Sequence, residues 1–293
     1  MDVSLSAVTK VYRGGTRVLD GLDLEIGEGM LGLLGANGAG KTTLMRLLTT
    51  VLKPTSGRIA VGGHDLSTRS GVHAVKRMLG YLPQELSLYP ELTGAEFLDY
   101  VALLKGIGDR AERRRQTDDL LEQVGMRQHA KQRIGDYSGG MKRRIGIAQA
   151  LLGDPELLVV DEPTAGLAPQ ERMRFRALLA GLSGVRIVIL STHILDDVAQ
   201  SCPNVAVLGD GKVAYHGSTA GLTSAASGRT YLVPPGRPVP PDSTVVNAVA
   251  GPEGTEYRVI SENPVPGARQ VEPSLEDGYA ALVRNSSDKM AVN

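Results

Sequence analysis

The chain has 293 residues, enough to bury one large core with room for a small appendage. Its 32 basic and 32 acidic residues balance, so there is neither the basic excess typical of nucleic-acid binding nor an acidic tail. The single cysteine, Cys202, excludes an intramolecular disulfide and suits a reducing cytoplasm, where we expect it to be a small buried apolar residue. No apolar run reaches the roughly 18 residues that span a bilayer, and the N-terminus lacks the features of a signal peptide. We therefore expect a cytoplasmic chain that depends on another polypeptide for any membrane span.

Residues 2–30 alternate short apolar runs with turn residues, a pattern typical of antiparallel strands joined by tight turns. The apolar run at 30–34 predicts a buried strand, and residues 44–48 predict a helix. Between them, residues 35–43 read Gly-Ala-Asn-Gly-Ala-Gly-Lys-Thr-Thr and match the phosphate-loop pattern G-x-x-x-x-G-K-[ST].

The phosphate loop needs its glycines so that backbone N–H groups can point inward at a polyphosphate, where the helix N-terminus adds partial positive charge. We expect Lys41 to reach the β- and γ-phosphates and the Thr42 hydroxyl to ligate Mg²⁺. A glycine-rich turn that binds nothing is the alternative, and the flanking strand and helix argue against it.

The chain between the phosphate loop and residue 133 becomes increasingly helical. A strand is predicted at 58–62, and helices are predicted within 92–133, at 96–104 and 111–124. The basic run Arg113-Arg114-Arg115 is interpreted as a solvated helix face rather than a binding patch.

A second glycine pair occurs in Tyr137-Ser138-Gly139-Gly140-Met141-Lys142, at the start of a helix predicted over 141–152. Such a helix start can bind an anion, separately from the phosphate loop. The alternative is an ordinary helix cap in which Ser138 bonds the first turn and the glycines only allow the bend.

Two apolar runs rich in β-branched residues, at 157–160 and 187–190, predict central strands of a parallel sheet. A helix predicted at 169–182 joins them into a β-α-β unit. Asp161 and Glu162 directly follow the first strand, where ligands collect in such sheets. Asp161 could hold Mg²⁺ opposite Thr42, and Glu162 could act as general base on the attacking water; capping of the next helix is the alternative for both.

The composition changes after residue 217, where nine of the chain's 16 prolines lie. We predict a Ser/Gly/Thr linker at 218–229 and a hairpin of strands 245–250 and 256–260. A short amphipathic helix is predicted from Ser274, with a start that resembles a capping box, and residues 285–293 are predicted to be a frayed tail. Residues 218–293 would thus form a linker and a small α+β accessory domain.

The order of these motifs resembles the ATP-binding cassette (ABC) ATPases of ABC transporters, over roughly residues 3–217. Residues 35–43 look like the family's Walker A loop and 157–162 like its Walker B strand. Residues 137–142 look like its signature loop, in a Tyr/Met variant of the commoner Leu-Ser-Gly-Gly-Gln. The resemblance implies an α/β, P-loop NTPase cassette with a mixed core sheet, an antiparallel β subdomain and a helical subdomain at about 92–150, in a domain covering 1–217.

The resemblance also implies the role of each site residue. Gln84, in Tyr-Leu-Pro-Gln-Glu, matches the Q-loop glutamine, and His193, in Ser-Thr-His, matches the switch histidine. The implied catalytic residues are Glu162, His193, Gln84 and Lys41, and the implied Mg²⁺ ligands are Thr42, Gln84 and Asp161. The implied nucleotide contacts are Tyr12, which would stack on adenine, with Gly35, Ala36, Asn37, Gly38, Ala39, Gly40, Lys41, Thr42, Thr43, Ser138, Gly139 and Gly140.

One departure from the family pattern is Gly166-Leu167-Ala168-Pro169, where Gly-Leu-Asp-Pro is usual. In the family, the missing carboxylate normally lies at the interface between two cassettes and helps to link their sites. Its loss puts the strength of that coupling in doubt but does not affect the expectation of nucleotide binding. Residues 271–279 are similar to the tail of cassettes from drug and antibiotic exporters, including the daunorubicin-resistance type.

The resemblance implies an ATP-hydrolysing subunit, with ATP and Mg²⁺ as cofactors, that powers export through a separate transmembrane permease at the inner face of the membrane. Two chains would sandwich two ATP molecules, each between the Walker A loop of one chain and Ser138–Gly140 of the other. The alternatives are a soluble cassette ATPase acting on ribosomes or DNA and a module that only binds ATP. The apolar segment 86–90, Leu-Ser-Leu-Tyr-Pro, either packs locally beneath the helices or receives a short helix from the permease.

Overall fold

The computed structural model describes residues 1–164, 168–182 and 186–291. They form two compact units: one contains Met1–His193 with Ala206–Val213, and the other contains Ile194–Val205 with Ala214–Asn293. Within the described ranges, no helix combines the length and apolar character that crossing a bilayer requires.

The secondary structure alternates strands and helices along most of the chain. The strands are β1 (Val3–Val11), β2 (Arg17–Ile26), β3 (Gly29–Gly35), β4 (Ser56–Val61), β5 (His64–Asp65), β6 (Leu79–Leu82), β7 (Leu157–Asp161), β8 (Ile187–Ser191), β9 (Asn204–Gly209), β10 (Lys212–Ser218), β11 (Thr230–Val233), β12 (Thr244–Gly251), β13 (Gly254–Ile260) and β14 (Arg269–Gln270). The α-helices are α1 (Lys41–Leu48), α2 (Arg69–Met78), α3 (Gly94–Leu104), α4 (Arg110–Gln123), α5 (Gly139–Leu151), α6 (Pro169–Leu182), α7 (Leu195–Ser201), α8 (Thr219–Ser224) and α9 (Leu275–Ala291).

The N-terminal sheet is antiparallel, with the strand order β2-β1-β4-β5. Leu22, Leu24 and Ile26 are buried at every second position of β2, as expected for a strand with one face on the core. Val3 pairs with Ile26 in the antiparallel β1–β2 ladder. The prediction of antiparallel strands in this region is therefore confirmed.

The larger sheet has the order β10-β9-β3-β8-β7-β6. Strands β3, β8, β7 and β6 run parallel, and every residue of β7 and β8 is buried. The predicted β-α-β unit is confirmed, because β7 and β8 are neighbours and α6 connects them in sequence. In the registers, Asp161 pairs with Ser191 and Leu33 also pairs with Ser191, so the carboxyl ends of these strands meet at one edge.

The main core joins the two sheets of the first unit through α1. Leu44, Met45, Leu47 and Leu48 are buried on this helix and belong to one apolar cluster with residues of β1–β4, β7, β8 and β9. This burial fixes the axis of α1, and so the direction in which its N-terminus opens.

The predicted helical segment contains α3 and α4, which pack on each other and on α5. Thr93 and Glu96 form a capping box at the start of α3. Each arginine of the run 113–115 lies next to a carboxylate: Arg113 Nε bonds Asp99 (2.8 Å), Arg114 lies 4.0 Å from Asp118, and Arg115 pairs with Glu112 (2.6 Å). Arg114 and Arg115 are exposed, in agreement with the interpretation of a solvated helix face. Arg113 departs from it, because its side chain is only 12% exposed and also donates to the carbonyl oxygens of residues 107 and 108.

The second unit contains an antiparallel sheet with the order β12-β13-β11-β14, in which β12 and β13 form the predicted hairpin. Two segments are more ordered than predicted. The predicted linker contains α8, which packs on α9 because Leu222 is fully buried and Gly278 allows close approach. The predicted frayed tail continues α9 to Ala291. Ser274 and Asp277 cap the start of α9 reciprocally, through Ser274 N to Asp277 Oδ2 and Asp277 N to Ser274 Oγ.

Candidate functional site

The phosphate loop connects the end of β3 to the start of α1. Gly35, Gly38 and Gly40 have φ values of 147°, 85° and 101°, which side chains other than glycine rarely allow. A Cβ at Gly40 would lie 2.7 Å from the Leu19 side chain, and one at Gly35 would lie 2.5 Å from the Leu208 carbonyl oxygen. The loop can curl around the helix N-terminus only because these positions are glycine.

A cleft of about 540 Å³ opens at this helix N-terminus. It brings together most of the residues predicted to form the site, from four separate strand ends or loops. Its lining residues are Val18, Asn37, Gly38, Gly40, Lys41, Thr42, Thr43, Gln84, Asp161, Glu162, Ser191 and His193. Val18 and Ser191 are the two that sequence reasoning did not identify.

Lys41 is buried at the base of this cleft. Its ammonium Nζ donates to the carbonyl oxygens of Gly35 (2.5 Å) and Ala36 (3.0 Å). Burial lowers the pKa of Lys41, and the carboxylates of Glu162 and Asp161 oppose that shift. The loop thus holds a cation beside a helix N-terminus, which is an arrangement suited to a polyphosphate.

Asp161 and Glu162 are adjacent in sequence but lie in different environments. Asp161 is buried, and that burial raises the pKa of its carboxyl, while the cations of Arg46 and Lys41 act in the opposite direction. Glu162 has a φ of 48°, and its N–H donates to the Ser191 carbonyl oxygen at 2.9 Å. This left-handed residue turns the chain away from β7 at the edge of the cleft.

His193 pairs with Glu162 across the cleft. The His193 Nδ1 atom lies 2.7 Å from Glu162 Oε2. The Glu162 side chain is 12% exposed and the His193 side chain 64% exposed, so the histidine forms the outer member of the pair. A carboxylate oriented by an imidazole can accept a proton from a water molecule placed next to it.

Tyr12 and Ser138–Gly140 do not belong to the described residues that line the cleft. The Tyr12 hydroxyl lies 3.1 Å from Thr43 Oγ1, which places its ring beside the start of α1. Ser138 caps α5, with its Oγ accepting from Met141 N at 3.3 Å, and both Ser138 and Gly139 are exposed. Ser138 and Gly139 therefore face solvent rather than the cleft of their own chain, while Gly140 is half-buried beside Glu171.

The structure describes only the second half of the segment 166–169, in which the sequence departs from the usual Gly-Leu-Asp-Pro. Gly166 and Leu167 lie outside the described residues. Ala168 is exposed, and its carbonyl oxygen accepts from Arg172 N (3.0 Å) at the start of α6.

The donor set of the cleft fits ATP together with Mg²⁺. The curled backbone and Lys41 suit the phosphates. Thr42, Gln84 and Asp161 offer hydroxyl, amide and carboxylate oxygens in the same cleft, and Mg²⁺ in nucleotide sites is bound by one or two carboxylates together with phosphate oxygens and water. The cleft therefore has suitable groups for both.

The chain is similar to known proteins over most of its length. The family described as "ABC transporter" matches residues 19–165. The daunorubicin resistance ATP-binding protein DrrA3 of Streptomyces coeruleorubidus is 37% identical over 228 residues, covering 77% of this chain and 71% of that protein. The linearmycin resistance ATP-binding protein LnrL of Bacillus subtilis (strain 168) is 34% identical, covering 77% and 72%.

Solved structures are similar over about three quarters of the chain. A dimeric ATP-binding cassette in a post-hydrolysis state bound to ADP and Pi has a TM-score of 0.68 and 25% identity, covering 74% of this chain and 98% of that one. The ATP-binding subunit of an ABC transporter has a TM-score of 0.69 and 28% identity, covering 76% and 92%.

Proposed function

Because this chain belongs to the ABC transporter family, we propose that its cleft binds and hydrolyses ATP to drive export through a separate membrane permease. The observation that carries the proposal is the meeting of Lys41, Asp161, Glu162 and His193 in one cleft at the carboxyl edge of the sheet. Relatives named as resistance ATP-binding proteins support transport over an action on ribosomes or DNA. The Glu162–His193 pair favours hydrolysis over mere nucleotide binding.

Each residue of the cleft has a distinct role in the proposed reaction. Lys41 and the loop N–H groups bind the β- and γ-phosphates, which places the γ-phosphate near Glu162. Thr42, Asp161 and Gln84 would hold Mg²⁺, which would supply positive charge against the phosphate oxygens. Glu162 accepts a proton from the attacking water. His193 orients the Glu162 carboxylate through the contact at 2.7 Å.

The assignment of Glu162 is tested by Glu162→Gln, which keeps the size of the side chain and removes its basicity. We expect ATP to bind with affinity unchanged within about threefold, and the rate of hydrolysis to fall at least about 100-fold, as for loss of a general base. Glu156 gives a matched control, because it is an exposed glutamate at the opposite end of β7. Glu156→Gln should hydrolyse ATP at the wild-type rate, and wild-type turnover in Glu162→Gln would contradict the role.

The active form that we propose is a homodimer with two shared ATP sites. Each site would combine the cleft of one chain with Ser138–Gly140 of the other. Two observations support this: Ser138 and Gly139 are exposed away from their own chain's cleft, and a similar solved cassette is a dimer bound to ADP and Pi. Each helix N-terminus, at α1 and at α5, would then face the same nucleotide from opposite sides.

The docking surface that we propose for the permease consists of Tyr89, Tyr100, Leu103 and Leu104. All four are exposed, and the Tyr89 and Tyr100 rings meet edge to face with centroids 5.8 Å apart. Leu86, in the same connecting segment, packs toward Gly146 of α5. The Tyr89 ring also lies 6.2 Å from the Phe97 ring, but Tyr89 remains 50% exposed, so local packing leaves half of it uncovered. A cytoplasmic helix of the permease would lie on this apolar face, near Gln84, and hold the chain at the inner side of the membrane.

A further inference from the structure

Arg143 lies on α5 and is only 7% exposed. Among the described residues, all the hydrogen bonds of its guanidinium go to backbone carbonyl oxygens. Nε donates to Pro163 (3.0 Å), Nη1 to Pro83 (3.0 Å) and Gln84 (3.1 Å), and Nη2 to Asp161 (3.0 Å) and Glu162 (2.7 Å). A guanidinium carries five N–H groups, so its donors and these acceptors match in number.

The five acceptors belong to two segments that are far apart in sequence. Residues 83–84 follow β6, and residues 161–163 contain the last residue of β7 and the two residues after it. Burial lowers the pKa of Arg143, and the carboxylates of Asp161 and Glu162 oppose that shift without accepting its hydrogen bonds. A buried cation is tolerated when its donors are satisfied, and here a single planar group ties both segments to α5.

One of these segments contains the strained residue of the site. Glu162 adopts a φ of 48°, which persists in a non-glycine residue only where the surrounding structure holds it. Arg143 donates to the carbonyl oxygens of Asp161 and of Glu162 itself, which are the two carbonyl groups on either side of the Glu162 Cα. The resulting turn directs the carboxylate toward His193.

We propose that Arg143 is a positioning residue for ATP hydrolysis, which holds Glu162 in its left-handed conformation and fixes the segment of Gln84 beside it. The proposal rests on the role of Glu162 as general base. Arg143 is absent from the described residues that line the cleft, so it acts through the backbone and not on ATP. Its loss should therefore reduce the rate of the chemical step and leave the phosphate contacts in place.

The test compares Arg143→Met and Arg143→Lys in the purified full chain, by steady-state hydrolysis and by binding of a fluorescent ATP analogue. We expect Arg143→Met to lower kcat at least about 100-fold with KM for ATP unchanged within about threefold, since a small misplacement of a catalytic group has effects of this size. The kcat of Arg143→Lys should lie between those of the wild type and Arg143→Met, because an ammonium has three donors and cannot reach five acceptors. A wild-type kcat in Arg143→Met, or a loss that appears only in KM, would overturn the proposal.

Lys105 provides a matched control. Like Arg143, it is a cation whose hydrogen bonds to the described residues go to carbonyl oxygens. Its acceptors are Leu79 (3.2 Å), the first residue of β6, and Leu152 (2.6 Å), just after the last residue of α5, so both lie at the ends of these elements that are remote from Gln84 and Ser138. Lys105→Met should keep kcat within about twofold, whatever it does to stability. If Arg143→Met does not fold, Arg143→Lys carries the test, and a full kcat in that variant would overturn the proposal.

A double variant separates positioning from general destabilisation. If Arg143 acts through Glu162, adding Arg143→Met to Glu162→Gln should lower the single-turnover rate by no more than about threefold beyond Glu162→Gln alone. The proposal would be overturned if Arg143→Met lowered the rate of the Glu162→Gln chain by as large a factor as it lowers the rate of the wild type. If Glu162→Gln itself turns over normally, the proposed base is wrong; if it is inactive while Arg143→Met is fully active, only the inference about Arg143 fails.

Discussion

Lys105 should make the stability of this chain depend on pH in the alkaline range. Its ammonium, at the end of α3, donates to the carbonyl oxygens of Leu79 and Leu152 and so ties the helical segment to β6 and α5. Burial lowers the pKa of Lys105 from its ordinary value of 10.5 to about 8. Between these values the unfolded chain holds a proton that the folded chain has released. The free energy of unfolding should therefore rise with pH across this window.

The size of the effect follows from the two pKa values. Each unit of pH inside the window is worth about 1.36 kcal/mol, so the contribution of Lys105 should rise by about 2 kcal/mol between about pH 7 and pH 9.5. Urea unfolding of the wild type and of Lys105→Met at both pH values measures it, because other titrating groups are common to the two chains. From the lower to the higher pH, the free energy of unfolding of the wild type should rise relative to that of Lys105→Met by that amount. A difference that stays within about 0.5 kcal/mol, or that falls with pH, would refute the burial argument.

Two further predictions concern partners. Lys41→Ala should lose nucleotide affinity at least about tenfold, since it removes a direct phosphate contact, and Ser138→Arg should inactivate shared sites by steric exclusion. Neither variant alone should hydrolyse ATP, but an equal mixture should recover about a quarter of the wild-type activity, because half of its dimers have one intact site; no recovery at any ratio would contradict shared sites that work independently. Tyr89→Glu should preserve ATP binding and reduce co-purification with the permease at least about tenfold, because it puts a charge into an apolar contact. Val51→Glu, at a residue 62% exposed against 50% for Tyr89, should co-purify normally, and wild-type recovery with Tyr89→Glu would exclude this docking site.

The parts of the site that the sequence predicted are those with a local pattern. The phosphate loop is encoded within nine consecutive residues, and its glycines are needed for backbone conformations that the structure shows at Gly35, Gly38 and Gly40. Asp161 and Glu162 were predictable because an apolar run identifies β7 and the parallel sheet places its end beside the loop. The structure brings these residues, with Gln84 and His193, into one cleft.

Arg143 could not be predicted in the same way, because its partners are backbone carbonyl oxygens that are 18 to 60 residues away and carry no side-chain signature. Ser191 was missed because it is the last residue of an apolar strand and only the sheet register places it at the cleft. The helix α8 was missed because its Ser/Gly/Thr composition is typical of linkers, whereas burial of Leu222 against α9 decides its structure.

The strained backbone at Glu162 explains how two adjacent carboxylates can serve different functions. In a regular strand, neighbouring side chains point to opposite faces, and a continued β7 would direct Glu162 away from the face of Asp161. The left-handed turn ends the strand there, so both side chains line the same cleft. Asp161 remains buried near Lys41, where burial raises the pKa of its carboxyl, while Glu162 faces His193 at the edge. In the proposed reaction, the separation of metal binding from proton transfer therefore depends on a single backbone conformation, and Arg143 is the side chain that bonds both carbonyl groups flanking it.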